Sequence, residues 1–212
     1  MEITYLGHSS FLIKDSSGKI LLTDPFDESV MYPTYKGSAD VVTISHHHAD
    51  HDYIKELKGK SEILDKTGFF NVCDIPITGL PSFHDNSSGM KRGDNTIYTF
   101  VMDGYKLCHL GDLGHLLTKD VVEALGTIDI LFIPVGGNYT INCEQAFKVC
   151  KQLKSHIVIP MHYKTQHSNF SISGVEEFLS KMKSGEKINS SSFYLDKKLT
   201  GINAVKILNP LV

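Results

Sequence analysis

Eight consecutive residues, Ser45-His46-His47-His48-Ala49-Asp50-His51-Asp52, constrain this chain more than any other stretch. They contain His46-x-His48-x-Asp50-His51, and only that register works, because starting from His47 puts Ala49 where a ligand should be. Three imidazoles and a carboxylate in so short a span are borderline ligands suited to a divalent ion such as zinc. A solvated polar loop or a tag is the bland alternative, and an internal run with these flanks argues against it. Upstream, Ala39–Ile44 is apolar and β-branched, as a buried strand is. Downstream, Ile54, Leu57 and Gly59 predict a short helix with Asp50 and Asp52 in its first turn. A chain turning sharply at a strand end can aim His46 and His48 at one point and Asp50 and His51 at a neighbouring one. That division predicts two metals side by side.

The rest of the chain reads as α/β. Strand patterns cover Ile3–Lys14, Lys19–Thr23 after the Asp15–Gly18 turn, Val41–Ser45 and Ser61–Asp65. Thr96–Met102 and Tyr105–Leu110 flank Asp103-Gly104, a two-residue hairpin signal. Later, Thr118 caps a helix bearing Val121, Val122 and Leu125 and closed by Gly126. Asn142 and Gln145 open a second helix with an apolar stripe, and Ser173 and Glu176 repeat that signal. Ile128–Val135 and His156–Met161 are buried-strand runs, Glu186–Ser192 is a polar loop, and Ala204–Leu208 is a final strand. Hairpins first and strand–helix alternation afterwards suit two sheets packed face to face with helices outside. With 212 residues and no linker or repeat, residues 1–212 form one domain.

The motif and its preceding strand resemble the metallo-β-lactamase superfamily of binuclear hydrolases, and the resemblance runs from Ile3 to about Met182. It implies a four-layer αββα sandwich and further ligands from distant loops. By local context these are His84 in Leu80-Pro-Ser-Phe-His84 and His162 in Pro160-Met-His162. A bridging carboxylate is best placed at Asp112, where a strand ends at Gly111 and the backbone can approach the metals. The resemblance thus assigns His46, His48 and His84 to one ion and Asp50, His51 and His162 to the other, with Asp112 between them. Ile3-Thr-Tyr-Leu-Gly-His8, Leu21-Leu-Thr-Asp24-Pro25, Lys91-Arg92-Gly93-Asp-Asn-Thr96 and Pro160-Met-His-Tyr163 are similar to a small single-domain branch. That branch holds metal-dependent hydrolases and is similar to the ascorbate-6-phosphate lactonases.

Departures narrow the function. Lactam-hydrolysing enzymes carry a cysteine in the second metal site, whereas Asp112 is acidic. They are also exported, and Met1-Glu-Ile-Thr-Tyr begins a strand without a charged and apolar leader. Di-iron redox relatives carry Glu where His48 stands, which favours hydrolysis over electron transfer. No apolar run approaches the ~20 residues needed to span a bilayer, so no membrane partner and a cytoplasmic location are expected. A formal charge of −3 gives no basic footprint for nucleic acid. The four cysteines form no CxxC pair and read as reduced core thiols.

Two cations, zinc first and manganese or iron as alternatives, lower the pKa of a shared water towards about 7 and polarise the oxygen under attack. The expected reaction is hydrolysis of an ester, lactone or phosphoester of a small molecule by the resulting hydroxide. Asp50 and Asp112 carry the catalysis, Asp50 by orienting that hydroxide. A redox or sensing protein of the same fold is the alternative, and a nuclease a weaker one. Around the ligands, Asp24 can hold the metal loop by hydrogen bonds or be a turn carboxylate. His8 can line the pocket or pack in its strand. His115 can donate a proton to a leaving group, with packing as the alternative. Tyr139, after Gly136-Gly137, can touch substrate or sit in a plain turn. His47 points away, and His109 packs. Arg92 is the one arginine of the chain, and its planar fork suits an anionic substrate if its loop folds over the metals.

Overall fold

Asp15 turns the chain back on itself: its carboxylate accepts hydrogen bonds from the amides of Ser17 and Lys19, both at 2.9 Å. This local device pairs two of the strands in the computed structural model, which describes residues 1–196 and 198–212. In chain order the strands are β1 (Glu2–Gly7), β2 (Ser10–Lys14), β3 (Ile20–Thr23), β4 (Val41–Thr43), β5 (Glu62–Leu64), β6 (Gly68–Val72) and β7 (Ile75–Phe83). They continue as β8 (Asp94–Met102), β9 (Tyr105–His109), β10 (Ile130–Pro134), β11 (Ile157–Met161), β12 (Glu186–Lys187), β13 (Ser192–Tyr194) and β14 (Ala204–Ile207). The helices are α1 (Lys119–Leu125), α2 (Cys143–Leu153) and α3 (Glu176–Met182).

One sheet has the order β13-β1-β2-β3-β4-β5 and the other β12-β14-β11-β10-β9-β8-β7-β6. Tyr5 and Phe11 of the first sheet and Phe100 and Phe132 of the second are buried in the core between them, with the Phe11 and Phe132 rings 4.3 Å apart. Truncating such a ring to alanine costs about 3–5 kcal/mol, because the cavity adds to the lost transfer energy. All three helices pack on the outer face of the second sheet through Leu125, Ala146, Val149, Cys150 and Phe178. The α/β sandwich is therefore as expected. Its outer layer over the first sheet holds no α-helix among the described residues. There Phe26, Val30 and Tyr32, around a one-turn 3-10 helix at Glu28–Val30, cover Leu6, Leu22 and Val42.

Strand direction positions the site. In the first sheet β2 is antiparallel to both β1 and β3, and β3 is parallel to β4, so β1, β3 and β4 run one way. In the second, β8 is antiparallel to β7 and β9, and β9, β10 and β11 are parallel, so β7, β9, β10 and β11 also share a direction. The C-terminal ends of seven strands deliver their following loops to the site.

Several local expectations need correction. Ile3–Lys14 is two strands, broken where Gly7 and His8 take φ of 120° and 53°. No helix follows the histidine motif: residues 49–51 and 55–56 are turns, because the ligand geometry consumes the first turn and the Lys-rich remainder buries little beyond Leu57. β6 and β7 were not foreseen, since Pro76, Gly79 and Pro81 break the strand pattern. The polar 186–192 stretch carries β12, and β13 begins at its end. α2 has the expected capping box, Asn142 and Gln145 each bonding the other's amide. By contrast, α3 starts after Val175 with no side-chain cap. Cys108 and Cys150 are core thiols, but Cys73 is exposed at the β6–β7 turn. No helix among the described residues is long and apolar enough to cross a membrane.

Candidate metal centre

Asp24, at the end of β3, organises the cluster. One oxygen accepts from the Ser45 amide at 2.8 Å, and the other accepts from the Ser45 hydroxyl at 2.6 Å and from Nδ1 of His51 at 2.9 Å. With its proton committed to Asp24, the Ser45 hydroxyl accepts from Nδ1 of His46 at 2.9 Å. One buried carboxylate thus fixes two imidazoles in the same sense. Each is left with a buried Nε2 that has no hydrogen-bond partner in the protein. A buried, unpaired nitrogen costs stability unless something else occupies it. Two such atoms facing the same space are what a cation would satisfy, and the carboxylate–histidine link is the usual device for orienting a metal-binding imidazole.

The structure brings the seven candidate ligands together. Ligand atoms of His46, His48 and His84 lie within 4.8 Å of one another, as do those of Asp50, His51, His162 and His8. Asp112 sits between the groups: one oxygen is 3.2 Å from Nε2 of both His84 and His162, the other 3.4 Å from Nε2 of His51. The four-oxygen, many-imidazole donor set fits borderline divalent ions.

Each ligand has a local reason for its position. His84 follows β7, and its amide donates to the carbonyl of Gly93 at 3.0 Å. Asp112 is held by Asn95, whose Oδ1 accepts from the Asp112 amide at 2.9 Å while its Nδ2 donates to Ser82 and Leu110. Gly111 is needed beside it: a Cβ there would stand 2.3 Å from Asn95 Oδ1 and 2.6 Å from the Ser45 Cβ, at a φ of +55°. His162 takes φ 49° at the end of β11, and its amide donates to the His8 carbonyl at 2.8 Å, tying the two sheets. His8, Asp24 and His162 all sit in the left-handed region, a strain that clusters at functional sites.

Charges within the cluster are strongly coupled. Burial, helped by His51, pushes His46 down to about 3, and burial with His162 pushes His8 down to about 4. Burial alone would raise the carboxyl of Asp112, but His162 and His51 hold it well below the usual range. Burial would likewise lower His51, and Asp112 and Asp24 override it, so His51 is raised well above an ordinary histidine. Asp50, at the half-buried rim, is depressed because the bond from His8 and the field of His51 outweigh its burial. His8 Nε2 donates to Asp50 Oδ2 at 3.2 Å, and its ring stacks on Phe170 at 5.0 Å.

A chamber of about 230 Å³ opens over these groups, lined by His48, Asp50, Asp112, Arg92, Tyr139 and Phe170 among others. Arg92 and Tyr139 therefore reach the site. His115 does not: its Nε2 accepts from the Phe83 amide at 3.1 Å and its Nδ1 donates to the Leu116 carbonyl at 2.8 Å, so both ring nitrogens serve the backbone. His47 is exposed and faces Asp52 and Asp65. His109 packs, donating to the Ser9 carbonyl at 2.7 Å. Sequence reasoning missed Phe170, Asn95 and the hydroxyl of Ser45. Asn95 and Ser45 lay within quoted stretches, Lys91–Thr96 and the histidine run, whereas Phe170 carried no signal.

The fold, with a His-rich rim at one end of a two-sheet sandwich, defines a class. The model of the β-lactamase superfamily domain matches residues 2–162. A UPF0173 metal-dependent hydrolase of Pyrococcus furiosus is 31% identical, over 78% of this chain and 85% of that protein. The chain therefore belongs to the metal-dependent hydrolases of the metallo-β-lactamase superfamily. Among solved structures, a Thermotoga maritima member of the superfamily, proposed to be a Zn-dependent hydrolase, is 38% identical with a TM-score of 0.83 and 98% of each chain covered. Igni18, a metallo hydrolase from Ignicoccus hospitalis, shares the fold at 24% identity and a TM-score of 0.65, over 86% of this chain and 90% of that one.

Proposed function

We propose that this chain is a binuclear hydrolase that cleaves an ester, lactone or phosphoester of a small molecule. The observation that carries this reading is the pair of bare, buried Nε2 atoms of His46 and His51, both locked by Asp24. Two divalent ions, zinc by the donor set, would supply an activated water and polarise the oxygen of the scissile bond. His46, His48 and His84 would hold one ion, and Asp50, His51 and His162 the other, with Asp112 shared.

The chain's own residues do the rest. Asp50, ionised and steadied by His8, faces the chamber and can take the proton released when water attacks. Asp112 keeps its position because Asn95 fixes its backbone. Tyr139 and Phe170 supply the aromatic part of the chamber wall. Their rings lie 6.0 Å apart, edge to face.

The test is metal analysis of the purified protein together with a panel of p-nitrophenyl esters, lactones and phosphodiesters. The reading expects close to two equivalents of metal and turnover that chelation removes and metal restores. Protein that holds no transition metal, or an Asp112→Ala variant with full turnover, would sink it.

A further inference from the structure

Residues 85–93 form a loop built around one carboxylate. Asp85 Oδ1 accepts from the amides of Ser87 at 2.6 Å and Gly89 at 3.1 Å, and Oδ2 accepts from the amides of Lys91 at 2.9 Å and Arg92 at 2.8 Å. The Gly93 amide closes the loop on the Gly89 carbonyl at 2.9 Å. The backbone that carries Arg92 is thereby fixed to the residue next to His84. From there the Arg92 side chain crosses to the β10–α2 loop. Its guanidinium lies over the Tyr139 ring, 4.8 Å from the centroid, and one nitrogen donates to the Asn138 carbonyl at 3.2 Å. Among the described residues no carboxylate pairs with it. A guanidinium has five N–H donors, and only one is committed here.

Arg92 also stands between two spaces. It lines the 230 Å³ chamber, and it lines a larger groove of about 630 Å³ on the other side. His48 is the other residue common to both. The chamber is smaller than the ~300–1,000 Å³ of ordinary small-molecule sites, and for a substrate larger than the chamber the adjoining groove lies beside Arg92. The groove itself mixes Lys66 with Asp65 and Asp94 and has no strong sign of its own. Charge is therefore read at one place, by a stacked and pre-oriented fork whose free edge matches two oxygens of an oxyanion.

We infer that Arg92 is a specificity residue for an anionic substrate, a carboxylate- or phosphate-bearing ester whose charged group lies beside the scissile bond, and that Asp85 is its positioning residue. This rests on the hydrolase reading for the identity of the reacting bond. The binding of the oxyanion by Arg92 is a separate property and can be measured without turnover.

The experiment is calorimetric titration of the metal-loaded protein with inorganic phosphate and, separately, with succinate, for the native chain and for Arg92→Gln, Arg92→Lys and Asp85→Asn. Arg92→Gln should weaken at least one anion by about tenfold or more, since a charge-assisted pair is lost. Arg92→Lys should fall between, because the charge stays and the fork goes. The anion that responds identifies carboxylate or phosphate as the recognised group. Asp85→Asn should weaken the same anion with metal content unchanged, and the double variant should be no worse than Arg92→Gln alone, as expected of a residue acting through another. On a hydrolysed anionic ester, Arg92→Gln and Asp85→Asn should each raise KM while kcat is kept. Native protein that binds neither anion, or Arg92→Gln affinities within about twofold of native for both, would overturn the inference. Failure of the metal-loaded native protein to hydrolyse any member of the ester, lactone and phosphodiester panel would count against the hydrolase reading and leave the anion result standing.

Discussion

Asp24 and His51 meet at 2.9 Å in a part of the interior where neither is exposed, and this bond decides which ring nitrogen of His51 is presented to the metal space. Asp24→Ala removes the acceptor of three donors at once, including the Ser45 hydroxyl that in turn orients His46. The loss of a carboxylate behind a metal-binding histidine lowers metal affinity by about 10–100-fold. Unsatisfied buried donors add about 1–3 kcal/mol of instability. Metal titration and thermal melting of the variant test both effects. Native metal affinity in Asp24→Ala would show that Asp24 does not orient the ligands.

Acid should weaken the metal-stripped protein through the same residues. Asp24 and Asp112 have folded pKa values below the ordinary 3.8, so the stability they contribute is full above that value and is lost as pH falls through their folded values. His51 works the other way. Its raised pKa gives a contribution that is full below 6.5 and is lost as pH rises through the folded value. His46 and His8, held down to about 3 and about 4, add a loss that begins as pH falls below 6.5. Melting temperatures of chelated protein should therefore peak near pH 6.5, decline above it, and fall along an acid limb that steepens below about pH 4. Asp24→Asn should flatten the acid limb. Parallel acid limbs for native and variant would remove Asp24 from this account.

Two adjacent histidines should behave oppositely. His46 is buried with a bare Nε2, whereas His47 is exposed and pairs only with Asp52 and Asp65. His46→Ala should lose about one equivalent of metal, and His47→Ala should retain the native metal content. Metal analysis of the two variants side by side reads this directly; the reverse pattern would mean the register of the motif is wrong.

Gly114 makes a prediction about packing. A Cβ on it would stand 2.3 Å from the Asp85 amide nitrogen and 2.4 Å from the His84 carbonyl carbon, both of them backbone atoms. Gly114→Ala must therefore push His84 and Asp85 away from Asp112. Overpacking of this kind costs about 1–3 kcal/mol, and the displacement should lower metal affinity as well. A variant with native melting temperature and native metal content would show that the two loops separate freely.

The sequence motif was legible because its four donors are local: spacing alone says which of them can share a point. His84, Asp112 and His162 were legible only by family resemblance and their place after strands, since nothing local pairs them. His115 illustrates the opposite error. It stands three residues from Asp112, yet the Phe83 amide, distant in sequence, claims its free nitrogen. Asp85 passed unnoticed because a carboxylate that bonds its own loop leaves no periodic trace. The helix expected after Asp50 failed because only one of its two apolar residues finds the core: Leu57 packs on it, whereas Ile54 is exposed. β7 was hidden by Pro76 and Pro81, which read as breakers yet are tolerated at positions whose missing amides this ladder does not need.

The shared direction of seven strands has a mechanical side. His46, His48, Asp50 and His51 hang from one sheet, and His84, Asp112 and His162 from the other. An ion gripping both sets is a rivet driven through the rim of two plates whose broad faces meet through side chains such as Phe11 and Phe132. Pulling the rivet leaves the plates bonded over their broad faces and frees their lips. Amide exchange on metal removal should accelerate around Ser45–Asp52 and His84–Gly93 long before it does in the aromatic centre.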